Sequence, residues 1–87
     1  MFPIGQLVAT PGALAFCKQH GINPIHIIAR HVARDWSQMD REDQAANLAA
    51  ITDATRILSA YVYDETRIWV VTEADRLVTT LLLADEY

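Results

Sequence analysis

Apolar positions recur with a helical period in the first half of the chain and with a strand period in the second. The stretch from Arg56 to Leu83 holds the clearest pattern. Its runs Arg56–Tyr63, Arg67–Thr72 and Leu77–Leu83 are rich in β-branched, aromatic and aliphatic residues, which pack well on a pleated surface. The breaks between them, Asp64-Glu65-Thr66 and Glu73-Ala74-Asp75-Arg76, have hairpin lengths and carry Asp, whose carboxylate bonds nearby backbone amides. The pattern predicts an antiparallel meander. Side chains alternate between faces along a strand. Ile68 and Val70 therefore share one face, and Arg67, Trp69 and Val71 the other. In the first run Leu58, Ala60 and Val62 oppose Ile57, Ser59, Tyr61 and Tyr63. The aliphatic set Leu58, Ala60, Val62, Ile68 and Val70 is expected to meet a helical layer, leaving a face of Tyr, Trp and Arg outside.

That layer is predicted from the first half. Ile4–Ala9 reads as a small strand or an extended lead-in. Thr10-Pro11 and Asn23-Pro24 are helix starts, since Thr and Asn cap and Pro needs no N–H in the first turn. The first helix runs to about His20, ended by Gly21 at a position that accepts positive φ. The second runs from Pro24 to about Arg34, with Ile25, Ile28, Ala29 and Val32 at i, i+3, i+4 and i+7. Its histidines and arginines, His26, His31, Arg30 and Arg34, fall away from that stripe. Asp40 caps a third helix to about Thr52, with Glu42 and Asp43 favourably placed at the positive end of its dipole. Ala45, Leu48, Ala49 and Thr52 form its stripe.

A chain of 87 residues makes one domain, residues 1–87, with 52% apolar residues supporting a folded core. A core of this size gains from self-association. The apolar runs are far short of the ~20 residues that span a bilayer, and the start Met1-Phe2-Pro3 lacks a basic leader region. Cys17 stands alone, which excludes an intramolecular disulfide and fits a reducing, cytoplasmic setting. Net charge is −4, but unevenly distributed: residues 1–34 hold three basic side chains and no acid, and all 11 acids lie beyond them. Overall acidity and a single lysine argue against direct nucleic-acid binding.

Chemistry-bearing clusters are sparse. Cys17 and His20 lie at i and i+3, but no second pair completes a zinc set and no orienting group completes a nucleophile. Cys17 reads more simply as a core residue. His26, Arg30, His31 and Arg34 offer an anion or partner site on an exposed helix face, or a plain solvated surface. Glu73, Asp75 and Arg76 bring two carboxylates and a guanidinium into one turn; a turn closed by an Asp–Arg interaction is the simpler account. Trp69, Arg67, Tyr61 and Val71, with Trp36, are the candidate binding surface, because aromatics and Arg dominate binding hot spots. No catalytic residue, metal ligand or cofactor site is assigned.

Several segments together carry a family resemblance: Gly5-Gln6-Leu7-Val8-Ala9-Thr10-Pro11-Gly12-Ala13, Arg30-His31-Val32, Asp35-Trp36, Arg56-Ile57-Leu58-Ser59-Ala60-Tyr61, Ile68-Trp69-Val70-Val71-Thr72-Glu73-Ala74-Asp75-Arg76, Thr79-Thr80-Leu81-Leu82-Leu83 and Asp85-Glu86-Tyr87. Over nearly its full length the chain resembles a family of short bacterial proteins of plasmids and integrative elements, labelled plasmid-related. Ala84 stands where the family pattern has Pro. The resemblance implies a mobile element in a bacterial cytoplasm and carries no functional residues.

The expectation is a two-layer α+β domain, three N-terminal helices on a C-terminal antiparallel meander, with a short N-terminal strand as an optional addition. The expected role is that of a non-enzymatic interaction protein. Its partner would be a protein such as a component of a host defence nuclease, bound by surface contact at Trp69, Arg67, Tyr61, Val71, Trp36, Glu73, Asp75 and Arg76, with charge mimicry of nucleic acid by the acidic half as one version. A homodimer centred on Trp69 is expected as well. The alternative is a small enzyme or ligand-binding domain using the Glu73–Arg76 turn and neighbouring histidines.

Overall fold

The computed structural model describes residues 2–87. Strand β1 (Gln6–Ala9) is followed by helices α1 (Pro11–Gln19), α2 (Pro24–Val32) and α3 (Arg41–Asp53). Strands β2 (Ile57–Tyr63), β3 (Thr66–Thr72) and β4 (Val78–Leu83) follow, then a 3₁₀ turn over Ala84–Glu86. The fold is the expected α+β pair of layers, with the optional N-terminal strand present. Each helix starts on its predicted cap: the side chains of Thr10, Asn23 and Asp40 accept from the amides of Ala13, Ile25 and Asp43.

The four strands form one sheet in the order β1-β4-β3-β2. The meander is antiparallel, and β1 pairs parallel with β4. Tyr63 pairs with Thr66, so the β2–β3 hairpin has a two-residue loop at Asp64 and Glu65. Both have positive φ, 49° and 65°, the turn whose twist matches that of the strands. Gly5 leads into β1 at φ 63°, and a Cβ there would overlap the Leu77 carbonyl. Only glycine meets both demands.

Helices α1 and α2 cover one face, against β4 and β3, and α3 runs along β2, its Asn47 on the edge backbone of Leu58. The face they cover differs from the expected one on β2. The buried residues are Ile57, Ser59 and Tyr61, in register with Thr72, Val70 and Ile68. Leu58, Ala60 and Val62 lie outside with Val71, Trp69 and Arg67. Ile68 and Val70 are on the covered face as expected, both fully buried. Burying the larger Ile57 and Tyr61 removes more apolar surface from water than burying Ala60 and Val62 would.

The helices are also rotated from the predicted stripes. Helix α2 buries Ile27, Ile28 and His31, and Ile25 is 56% exposed. Helix α3 buries Asn47 and Ala50 and turns Leu48, at 54% exposure, to solvent. The main core joins Ala13, Cys17, Ile27, Ile28, Tyr61, Ile68, Val70 and Leu81. A smaller cluster of Phe2, Trp36, Ala50 and Ile57 lies beneath α3.

Candidate partner-binding site

The covered face contains a polar chain that sequence patterning does not disclose. His31, expected on an exposed helix face, is instead fully buried, with Nδ1 2.6 Å from Ser59 Oγ and Nε2 2.8 Å from Thr72 Oγ1. Trp36 Nε1 donates to Ser59 Oγ at 2.8 Å. Thr72 and Thr79 hydroxyls meet at 2.7 Å, and Thr79 donates to the Ile4 carbonyl at 2.7 Å. An indole only donates and a carbonyl only accepts. The Ile4 carbonyl sets the direction from its end: Thr79 donates to Ile4, Thr72 to Thr79 and His31 Nε2–H to Thr72. Burial lowers the His31 pKa to about 4, so the imidazole is neutral at pH 7. With a neutral imidazole, Nδ1 then accepts from Ser59, which itself accepts from Trp36. A Ser–His contact is also the geometry of an activated nucleophile. Here both residues are fully buried, and the chain's visible work is to tie α2 and the Trp36 connector to the strands.

Three of the predicted partner residues are buried. Trp36 is 7% exposed with its N–H on Ser59, Val71 is 4% exposed, and Tyr61 is 1% exposed. All three are buried in the fold rather than exposed as expected of a binding surface. The Tyr61 ring lies under the Arg30 guanidinium, 4.3 Å from its centroid. Burial pushes the Tyr61 phenol up to about 12, and its hydroxyl has no hydrogen-bond partner among the described residues. Arg30 also bonds Asp35 at 2.7 Å and the Tyr63 hydroxyl at 2.9 Å. The Ser37 hydroxyl and then Arg30 hold the Asp35 carboxyl below its ordinary value. Cys17 is a core residue, its thiol pushed up by burial. His20, at the end of α1, lies 3.3 Å from Asp64 at the hairpin tip.

The Glu73–Arg76 turn is held together differently from the expected Asp–Arg pair. Asp75 accepts from the Leu77 amide. Arg76 donates to the carbonyls of Thr55, Glu73, Ala74 and Ala50, linking the turn to the end of α3 and the approach to β2. Glu73 pairs with Arg56 at 3.0 Å. Replacing Arg76 with Met is expected to cost about 2 kcal/mol in urea unfolding, since several carbonyls lose a charged donor. Glu73→Gln, at a half-exposed pair, should cost under about 1 kcal/mol. Equal losses would contradict the linking role of Arg76.

Trp69 and Arg67 do lie on the outer face as expected. On one side is a groove of about 850 Å³, walled by Gln38, Met39, Asp40 and Asp43 and floored by Leu58, Ala60 and Val62. On the other is a hollow of about 570 Å³ bounded by Glu65, Thr66, Leu83 and Asp85. Trp69 and Arg67 line both. Tyr87 stands edge-on to Trp69, with centroids 5.2 Å apart, and its hydroxyl meets Arg56. The tail is anchored by Glu86, which accepts from the Thr10 hydroxyl at 2.6 Å and the Leu83 amide at 2.8 Å. Those two bonds, the Thr10 one foremost, lower the Glu86 pKa. The outer face is therefore partly covered by its own chain, and the centre of the expected Trp69 dimer surface carries Tyr87.

Among the described residues no group of three His, Cys, Asp or Glu side chains is placed to hold a metal ion, and no helix is long and apolar enough to cross a membrane. Comparison with protein-family models, with curated proteins and with solved structures finds no match to this chain.

Proposed function

We propose that the chain is a protein-interaction module that binds a protein partner on the outer face of its sheet, with Trp69 as the anchor and Arg67 beside it. The observation that carries this is the placement of both side chains between two hollows. A Trp flanked by recesses offers large contact area at small conformational cost, as binding anchors do. The groove is mixed in charge: Asp40 and Asp43 come from the start of α3, and Arg56 and Arg67 from the sheet side. That mixture suits a polypeptide segment carrying both signs better than a surface imitating a run of phosphates. In the mobile-element setting implied by the sequence resemblance, the partner would be a component of a host defence nuclease.

The test places a photo-crosslinking residue at Val62, 49% exposed beside the groove, and separately at Leu48, 54% exposed on α3. A species captured from bacterial extract at Val62 but not at Leu48, and lost on Trp69→Ala, is the expected result. With that partner purified, Trp69→Ala should weaken binding by about 2 kcal/mol, roughly 30-fold. Capture at both positions, or an affinity untouched by the Trp69 change, would overturn the assignment. Affinity that falls steeply with salt would restore charge mimicry.

A further inference from the structure

The two edges of the sheet are treated differently. Along β2, Asn47 of α3 acts as a short surrogate strand: its amide accepts from the Leu58 N–H at 3.1 Å and donates to the Leu58 carbonyl at 2.7 Å. Gln38 accepts from the Val62 N–H at 3.0 Å. The β2 edge is thus occupied by side chains at Leu58 and Val62. On β1, Gln6 and Thr10 donate to Leu77 and Leu81 of the β4 side. In a parallel pair alternate residues face the partner strand, so Gln6, Val8 and Thr10 face β4 and the N–H and C=O groups of Leu7 and Ala9 point outward. Among the described residues β1 pairs with β4 alone.

Beyond its shortness, four residues, β1 carries none of the usual protection of an edge. Gln6–Ala9 has no charge and no proline, and no charged side chain precedes Lys18. Leu7 and Val8 are 43% and 44% exposed. We infer that β1 pairs antiparallel with β1 of a second copy about a two-fold axis through Val8. In that register Leu7 of each copy faces Ala9 of the other, making about four backbone hydrogen bonds. The two Val8 side chains meet on the outer face, and the paired strands themselves carry no charge. The result is a continuous eight-stranded sheet whose ends are the occupied β2 edges. One free edge per copy makes the assembly stop at a dimer rather than extend into a fibre. This interface is separate from the Trp69 surface, and each copy keeps its groove.

Sedimentation equilibrium from micromolar to submillimolar concentration tests it. The 9.8 kDa chain should show a monomer–dimer equilibrium with no larger species. Val8→Lys, at a half-exposed site, should raise the dimer dissociation constant by at least about tenfold, with the melting temperature of the dilute protein kept. Hydrogen exchange on the unmutated chain provides a readout independent of any folding defect. Leu7 and Ala9 amides should slow as concentration rises, and Val8, already bonded to β4, should not change. A monomer throughout, a dimer indifferent to Val8→Lys, or exchange unaltered at Leu7 and Ala9 would each overturn the inference. A dimer dissolved by Trp69→Ala would move the interface to the outer face.

Discussion

Acidification from pH 7 to pH 4 should cost the fold about 3 kcal/mol through His31 alone. The buried imidazole has its pKa lowered to about 4 from 6.5, and each tenfold loss of proton affinity is worth about 1.4 kcal/mol. In the unfolded chain His31 takes a proton as pH falls through 6.5, whereas the folded chain resists until about 4. Between those values the unfolded state binds more protons, so stability falls with pH. The contribution is complete above about pH 6.5 and is lost by about pH 4. Protonation would also place a donor on Nδ1 and force the Ser59 hydroxyl, which already accepts from Trp36, to turn its own hydrogen away from His31. Urea unfolding of the unmutated chain and of His31→Gln isolates the effect from the carboxylates, which titrate in both. At pH 7 the variant should be less stable by about 2 kcal/mol, because Ser59 and Thr72 lose their shared partner. By pH 4 that gap should close or reverse. Parallel curves would mean that His31 already carries a proton in the folded state or is reached by solvent.

Val70→Asp should lower stability by roughly 4 kcal/mol, whereas Val62→Asp should fall within about 0.5 kcal/mol of the unmutated protein. Val70 is fully buried on the inner strand β3, within the core that includes Ile27, Tyr61 and Leu81. A carboxylate there is uncompensated and must either stay protonated or open the core. Val62 is 49% exposed on the outer face of β2, and a carboxylate there stays hydrated. A domain of this size holds on the order of 4–13 kcal/mol in total, so the Val70 variant should be largely unfolded at modest urea. The pair measures the orientation of β2 and β3. Comparable losses at both positions would show that the outer face is covered far more extensively than by Tyr87.

Local chemistry determined the elements. Thr10, Asn23 and Asp40 each cap the helix they are expected to open, because capping requires only a side-chain oxygen within a few residues of free amides. The strand runs and their breaks are legible for a similar reason: period-two apolarity and an Asp-bearing loop are short-range properties. That Trp69 and Arg67 share one strand face follows from alternation alone.

Tertiary structure decided which way the pieces turn. On β2 both faces are largely apolar, so period two could not choose between Leu58-Ala60-Val62 and Ile57-Ser59-Tyr61. The choice fell to the set that buries the larger side chains and supplies Ser59 to His31 and Trp36. The inward turn of His31 is invisible in the sequence because its partners lie 28 and 41 residues away; without them a histidine on a helix reads as solvent-facing. Tyr61, Val71 and Trp36 read as surface for the same reason, since aromatic and branched residues on a strand or connector are equally suited to core and interface until their neighbours are known. The parallel seating of β1, and the contrast between its open edge and the Asn47-filled edge of β2, depend on contacts between distant segments. Periodicity reports only which residues share a face; the packing of the whole chain determines whether that face meets water, a helix or another strand.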